Sequence, residues 1–325
     1  MTQTVEVADI EKTHKNAIAE LVQTACKFES HIEIESNAER EKIQSSKYVQ
    51  SDPNDSYSKV KQRLAEGKKV LYTGTPCQIA GLYAFLGGDK PNLYTVDLIC
   101  HGVPSPKFLK KYIEYQNKQT DGRVIYFNFR SKDKRGWGTQ YLLKTKTKTK
   151  TKTLSLDRYG KHFMDGDCYR ESCYQCAYAN TSRVGDITVG DFWGIAKSHP
   201  EFNSPKGVSS VFVNTEKGQE LFEKMKPFAE IEQATLKEAM VKQHNLVQPS
   251  NRPENRSNFY KEIDEPDFVS EGGITAQSPD KGYFAKQIDS KNQIALRFTE
   301  EEFMGEPIRV LHILQRMEAG GHRRC

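Results

Sequence analysis

The sequence predicts an α/β fold: a mixed sheet with βαβ units, additional antiparallel strands and an irregular C-terminal region. Three observations carry this. Between Ser58 and Gln116, short apolar runs alternate with runs of helical spacing, and strand, crossover helix, strand is the pattern of parallel strands. Two β-rich stretches follow, Val124 to Arg130 and Tyr141 to Leu156, close enough to pair antiparallel. Beyond Ala229 the chain turns polar, and Pro249, Pro253, Pro266 and Pro279 interrupt any regular element.

Val60 to Glu66 reads as a short helix closed by Gly67, and Lys69 to Thr73 as a short apolar strand. A sharp turn at Gly74 and Thr75 leads into a helix over Ile79 to Leu86, with Pro76 suited to its first turn and Gly87 and Gly88 ending it. Leu93 to Ile99 is a second strand, broken at Cys100 to Pro104, and Lys107 to Gln116 is again helical. Cys77 and Cys100 therefore each follow the C-terminal end of a strand. Parallel strands put those ends on one edge, where open α/β sheets gather ligands. Further on, Asp186 to Val189 and Ser209 to Asn214 read as strands and Gly218 to Met225 as a helix.

With 325 residues the chain is long enough for a sizeable core. No stretch has the length and apolarity of a membrane span, and no N-terminal signal pattern is present, so a soluble cytoplasmic protein is expected. The net charge of +5 reflects 48 basic against 43 acidic residues. Lys144, Lys146, Lys148, Lys150 and Lys152, which alternate with threonines, equal that whole excess. This alternation predicts one extended edge strand with all the lysines on one face. Nothing aromatic interleaves with them for base stacking, so no nucleic-acid partner is expected.

The seven cysteines are expected in a reducing compartment, where ligand or redox roles outweigh disulfides. Cys173 and Cys176 form a Cys-x-x-Cys pair, the spacing of thiolates that converge on one centre. With Cys77 and Cys100 they supply four thiolates, enough for a 4Fe-4S cluster or a structural zinc. Spacing alone favours neither metal. Cys168 is an alternative ligand or a buried residue, and Cys26 reads as a core residue. A nucleophilic Cys77 lacks an assignable base, since His101 reads as a turn residue. Gly185, Gly190 and Gly194 punctuate a strand and turn bearing Asp186 and Asp191; they are either turn glycines or places where backbone approaches a cofactor, with Phe192 and Trp193 available to cover a planar ring.

Five segments in one order resemble the C-terminal domain of the coenzyme F420 hydrogenase/dehydrogenase beta subunits. They are Ser46-Lys-Tyr-Val-Gln-Ser-Asp52, Leu71-Tyr-Thr-Gly-Thr-Pro-Cys-Gln-Ile-Ala-Gly-Leu82, Val96-Asp-Leu-Ile-Cys-His-Gly-Val-Pro-Ser105, Ser172-Cys-Tyr-Gln-Cys176 and Gly185-Asp-Ile-Thr-Val-Gly-Asp-Phe-Trp-Gly-Ile195. The resemblance spans residues 37–298. It implies an iron-sulfur flavoprotein oxidoreductase that passes electrons between FAD or FMN, a 4Fe-4S cluster, and a partner or deazaflavin such as coenzyme F420. It implies Cys77, Cys100, Cys173 and Cys176 as cluster ligands, and Thr75, Gln78, His101, Asp186, Gly190 and Asp191 as cofactor-binding residues. A ferredoxin or a hydrogenase/dehydrogenase subunit is the expected partner. Cys168 matches only the branch found beside polysaccharide genes. The alternative is a non-catalytic or zinc-binding scaffold.

The ends depart from that family. Residues 1–36 are similar to the first half of an HPr phosphocarrier, but Asn16 and Ala17 stand where an Arg and a Pro would follow the phosphorylated histidine, so phosphotransfer at His14 is not expected. The repeated Cys-x-x-Cys module and Ser-Gly-Gly turn usual in the family are missing. Residues 299–325 resemble the opening strand and Gly-rich turn of a nucleotide-sugar glycosyltransferase, a strand whose parent sheet is expected to be missing. That tail links the chain to surface polysaccharide biosynthesis.

Overall fold

A computed structural model describes residues 31, 33, 46–120, 122–131, 138, 140–153, 157–263 and 311–314, with backbone alone at residues 151, 152, 262 and 311–314. The HPr-like reading of the N-terminus falls outside these residues save for His31 and Glu33, as do His14, Cys26 and Cys325.

The α/β reading holds. Strands β1 (Val70–Gly74), β2 (Leu93–Leu98) and β6 (Ile187–Asp191) run parallel to one another. Next to them β7 (Ser209–Val213) lies antiparallel to β6, and β8 (Leu311–Leu314) parallel to β7. The order β1-β2-β6-β7-β8 makes one mixed sheet. Helix α1 (Ser56–Ala65) precedes β1, α2 (Pro76–Leu86) crosses from β1 to β2, and α3 (Pro106–Gln119) follows β2. Pro76 opens α2, and Thr75 and Gln78 form a reciprocal capping box that satisfies the helix's first free amides. Val60, Tyr72, Ile79, Leu82 and Leu93 bury together between α1, α2 and the sheet.

Strand β2 alternates buried and half-buried positions, as a strand covered mainly on one face does. Two of its buried residues, Thr95 and Asp97, are polar and fully enclosed. Buried polar groups require partners, and here they come from the segment that opens β6. The Asp186 carboxylate accepts hydrogen bonds from the Thr95 amide and hydroxyl at 2.8 and 2.9 Å. Asp97 accepts from the Gly185 amide at 2.9 Å and from Arg183 at 2.9 Å. The β2–β6 pairing is thus fixed by side chains as well as by the ladder.

A second, antiparallel sheet holds β3 (Val124–Asn128), β4 (Gln140–Thr145) and β5 (Thr149–Thr153) in that order. Here the lysine run departs from expectation. It is a hairpin rather than a single strand, closed where the Thr145 amide donates to the Lys148 carbonyl at 2.8 Å. Lys144 pairs with Thr149, and Lys150 with Leu143. Directly paired residues share a face, so Lys144 and Lys150 stand on opposite faces. Folding back pairs backbone groups that one long edge strand would leave open. β5 does lie at the sheet's edge, and Lys150 Nζ donates to Gln116 Oε1 at 3.0 Å.

Against this second sheet lies an aromatic core built from Phe108, Tyr112, Tyr141, Tyr159 and Phe259. Phe108 stacks on Tyr159 with ring centres 4.5 Å apart. Tyr159 belongs to α4 (Arg158–Asp165), a short helix capped by Asp157 and ended by Gly166, which buries Tyr159, His162 and Phe163. Helices α5 (Ile195–Ser198) and α6 (Glu216–Met225) flank β6 and β7 in the chain. Beyond Ala229 the described residues up to Ile263 are mostly irregular, as expected, with the helices α7 (Leu236–Met240) and α8 (Arg256–Glu262) and a 3-10 turn at His244–Leu246. This stretch is anchored by Ala239 and Leu246, which bury beside Phe192, and by Phe259 and Ile263 in the aromatic core. The C-terminal strand, expected to lack a sheet, has one here: β8 forms the outer strand next to β7. Among the described residues, no helix is long and apolar enough to cross a membrane.

Candidate functional site

The C-terminal ends of β1, β2 and β6 share one edge, and three chain segments bring thiols to it. Cys77 sits in the first turn of α2, directly beyond β1, and is exposed, with its sulfur 3.1 Å from the Thr75 hydroxyl. Cys100 follows β2 and is partly buried. Cys173 lies in the 3-10 turn Glu171–Gln175, and Cys176 follows directly; both are partly buried.

Cys100 and Cys173 each register two of the other clustered thiols. Burial pushes the Cys100 thiol up to about 12, with Cys173 and Cys77 adding to the rise. Burial likewise raises Cys173, with contributions from Cys77 and Cys176. Thiolates confined in such a recess repel one another unless a cation or cluster sits between them. Three backbone amides oppose the rise, Gly102 N–H at Cys100 and the N–H groups of Val103 and Arg170 at Cys173. Amide donors to sulfur are among the groups that tune iron-sulfur sites.

The turn after Cys100 makes the Gly102 and Val103 amides available. Gly102 has φ +130°, a conformation L side chains rarely adopt, and a Cβ there would lie 2.5 Å from the Tyr169 ring. Arg170 N–H donates to the Val103 carbonyl at 3.0 Å, and Pro104 bridges to Tyr169. The Cys100 turn and the segment carrying Cys173 are thereby stitched together. Cys168 stands apart, fully buried in the aromatic core. Burial pushes its thiol well up, and the nearby charges are Asp167, Arg256 and Asp165 rather than the four clustered thiols.

A tetrahedral zinc with Zn–S bonds near 2.3 Å places its sulfurs about 3.8 Å apart. Among the described residues, the one group of three ligand side chains whose atoms all lie within 4.8 Å of one another is His199, Glu201 and Glu232. The thiols do not close to zinc spacing.

The cofactor-binding candidates divide. Thr75 and Gln78 serve the cap of α2, and the Gln78 amide nitrogen also donates to the Ser51 carbonyl and hydroxyl at 3.1 and 3.0 Å. The buried Asp186 carboxylate is engaged by Thr95 and by the Thr215 hydroxyl at 2.6 Å. Gly190 is required by packing, since a Cβ would lie 2.6 Å from Ile99 Cδ1. Phe192 is fully buried in a core with Ile99 and Ile195, so it covers no exposed ring.

His101 and Asp191 do lie near one another. Asp191 pairs with Arg130, which reaches across from the end of β3, and the guanidinium lies 5.7 Å from the Trp193 ring centre. His101 keeps solvent contact although protein surrounds it. That crowding pushes its imidazole below the ordinary range; Asp191 opposes the shift, and His244 and Arg130 reinforce it. Sequence reasoning missed Arg130 and His244, because each comes near His101 from a distant part of the chain and carries no local spacing signal.

Residues 67–239 match the family model that describes the C terminus of the coenzyme F420 hydrogenase/dehydrogenase beta subunit. The match takes in all four clustered cysteines. No curated protein matches the chain.

Proposed function

The chain belongs to the coenzyme F420 hydrogenase/dehydrogenase beta-subunit family, and from that premise we propose that it is an electron-transfer oxidoreductase subunit holding a 4Fe-4S cluster on Cys77, Cys100, Cys173 and Cys176. One observation carries the proposal. Four thiols from three segments gather at the edge formed by the ends of β1, β2 and β6, where Cys100 registers Cys173 and Cys77, and Cys173 registers Cys77 and Cys176. Such a cluster supplies one-electron transfer. The protein's part is to withhold water from Cys100 and Cys173, to aim the Gly102 and Val103 amides at their sulfurs, and to leave Cys77 as the exposed side facing a partner.

FAD or FMN, with coenzyme F420 as deazaflavin partner, comes to the proposal from the family alone. On this chain His101 and Asp191 are the candidates close enough to influence one another, and Arg130, which pairs with Asp191, also lies over Trp193. The electron partner would be a ferredoxin or a hydrogenase/dehydrogenase subunit. The link to surface polysaccharide biosynthesis rests on the resemblance of residues 299–325.

Anaerobic reconstitution with ferrous iron and sulfide tests the cluster. Bound iron and sulfide in equal amounts, with a charge-transfer absorbance that bleaches on reduction, are expected. A protein that takes up zinc and no iron would overturn the assignment in favour of a scaffold. Flavin is read separately from its visible absorbance after purification.

A further inference from the structure

Arg183 carries no expected role, yet every N–H of its guanidinium is used. Nη1 donates to the carbonyls of Tyr178 and Asn180 at 2.9 and 3.1 Å. Nη2 donates to Asp97 Oδ1 at 2.9 Å and to the Leu98 carbonyl at 3.1 Å. Nε donates to the Thr188 hydroxyl at 3.3 Å. A guanidinium has five such donors in a rigid fork, and here each has an acceptor. The side chain is 2% exposed and its Asp97 partner 0%.

The identity of those acceptors gives the arrangement its meaning. Tyr178 and Asn180 belong to the loop that leaves Cys176, and Leu98 ends the strand that leads into Cys100. One buried side chain thus holds the two backbones that deliver the Cys-x-x-Cys pair and Cys100. The loop is tightened further by Asn180, whose Nδ2 donates to Ala177 O and whose Oδ1 accepts from Ser182 N, both at 2.7 Å. On the strand side, Asp97 is held by the amides of Val184 and Gly185 at 3.2 and 2.9 Å.

We propose that Arg183 is a positioning residue for the thiol site, a clamp that sets the distance between Cys100 and the Cys173/Cys176 pair before any metal centre enters. The inference deepens the cluster assignment and rests on it for its iron-dependent consequence, but the thiol geometry can be read without iron. Lysine at this position keeps the charge beside Asp97 but concentrates three donors at one point, so it cannot span carbonyls on both sides.

The test compares wild type, Arg183→Lys, Asn180→Ala and Phe222→Leu. Phe222 is a fully buried α6 residue outside the clamp and serves as a control for general destabilisation. Dibromobimane, which bridges nearby thiols, is applied to the metal-free protein and the bridged pairs are mapped by mass spectrometry. Bridging between Cys100 and Cys173 or Cys176 should fall severalfold in Arg183→Lys, fall less in Asn180→Ala and stay at the wild-type level in Phe222→Leu. In the reconstituted protein, iron loss to a chelator should quicken on the order of 10-fold in Arg183→Lys. Wild-type bridging in Arg183→Lys, or an equal fall in Phe222→Leu, overturns the clamp. Should Arg183→Lys prove insoluble, Arg183→Gln, which loses the fork but keeps a neutral donor, decides; unchanged bridging there refutes the proposal. If wild type binds no iron and sulfide, the cluster assignment fails, while the bridging comparison still decides the clamp.

Discussion

His31 makes the docking of its segment measurable through pH. Its ring is 6% exposed and stacks on Tyr72 at a centroid distance of 5.2 Å and an interplanar angle of 4°. The backbone amide donates to Asp52 O at 2.9 Å and Nδ1 lies 3.3 Å from the same carbonyl. Nδ1–H therefore donates, which leaves Nε2 unprotonated and buried without a partner. Protonating Nε2 would place a charge and an unmatched donor in a dry site. Burial accordingly pushes the imidazole down to about 4 from 6.5, against the opposing pull of the Asp52 carbonyl. Because the folded pKa is the lower one, the unfolded chain binds the proton more readily. Stability from this group is intact above pH 6.5 and is lost as pH falls through the window down to 4. At about 1.4 kcal/mol per unit, the loss across that window amounts to roughly 3 kcal/mol. His31→Asn keeps a donor near the position of Nδ1 and removes the titration. Urea unfolding at pH 7 and pH 4 should show wild type losing about 3 kcal/mol more than the variant between the two conditions. Equal losses would refute the burial of His31 against Tyr72.

Cys173→Ser and Cys176→Ser should each abolish cluster binding, because serine is a poor iron ligand. Cys168→Ser should keep wild-type iron content while melting earlier, with a cost of about 1 to 3 kcal/mol for a polar atom in the aromatic core; iron loss there would make Cys168 a ligand. In Gly218→Ala the helix gains about 1 kcal/mol of propensity. The added Cβ would nevertheless lie 2.1 Å from the Asp186 carbonyl oxygen, a backbone atom that cannot move aside cheaply. Net destabilisation beyond about 1 kcal/mol is expected from overpacking, and a thermal melt at or above wild type would contradict it. Deleting all residues after Phe303 removes β8 and uncovers the β7 edge, so solubility should fall; unchanged solubility would mean that this pairing contributes nothing.

The βαβ core was legible because its signals are local. Pro76 at the start of α2, Gly87 after it and the apolar run of β2 each act within a few residues, and the observed boundaries shift only slightly. The edge shared by Cys77 and Cys100 followed from topology alone. The lysine run was misread because period-two alternation looks the same on either side of a hairpin turn, and only the pairing of Lys150 with Leu143 reveals the fold-back. Helix α4 escaped notice because its buried face is made of Tyr159, His162 and Phe163, with His162 Nδ1 held by Asp167 at 2.9 Å. An apolar-periodicity argument does not score a histidine as core.

The site itself was half legible, and the division has a physical basis. Conspicuous side chains such as Asp186, Gln78 and Phe192 resemble functional groups in a sequence, since polar residues inside apolar runs suggest ligands. In the fold they satisfy one another: Asp186 answers the buried Thr95, Gln78 caps α2 and ties it to Ser51, and Phe192 fills a core. Each meets the requirement that buried polar groups and voids be filled. Much of the family signature is therefore a folding signature, which shapes the edge on which the chemistry sits. The thiols differ. No disulfide joins Cys77, Cys100, Cys173 and Cys176, and gathering them adds to the rise that burial imposes on the Cys100 and Cys173 thiols, so ionising them together is costly. Substituting the thiols should therefore cost the bound centre far more than the fold, whereas substituting Asp186 should cost the fold first.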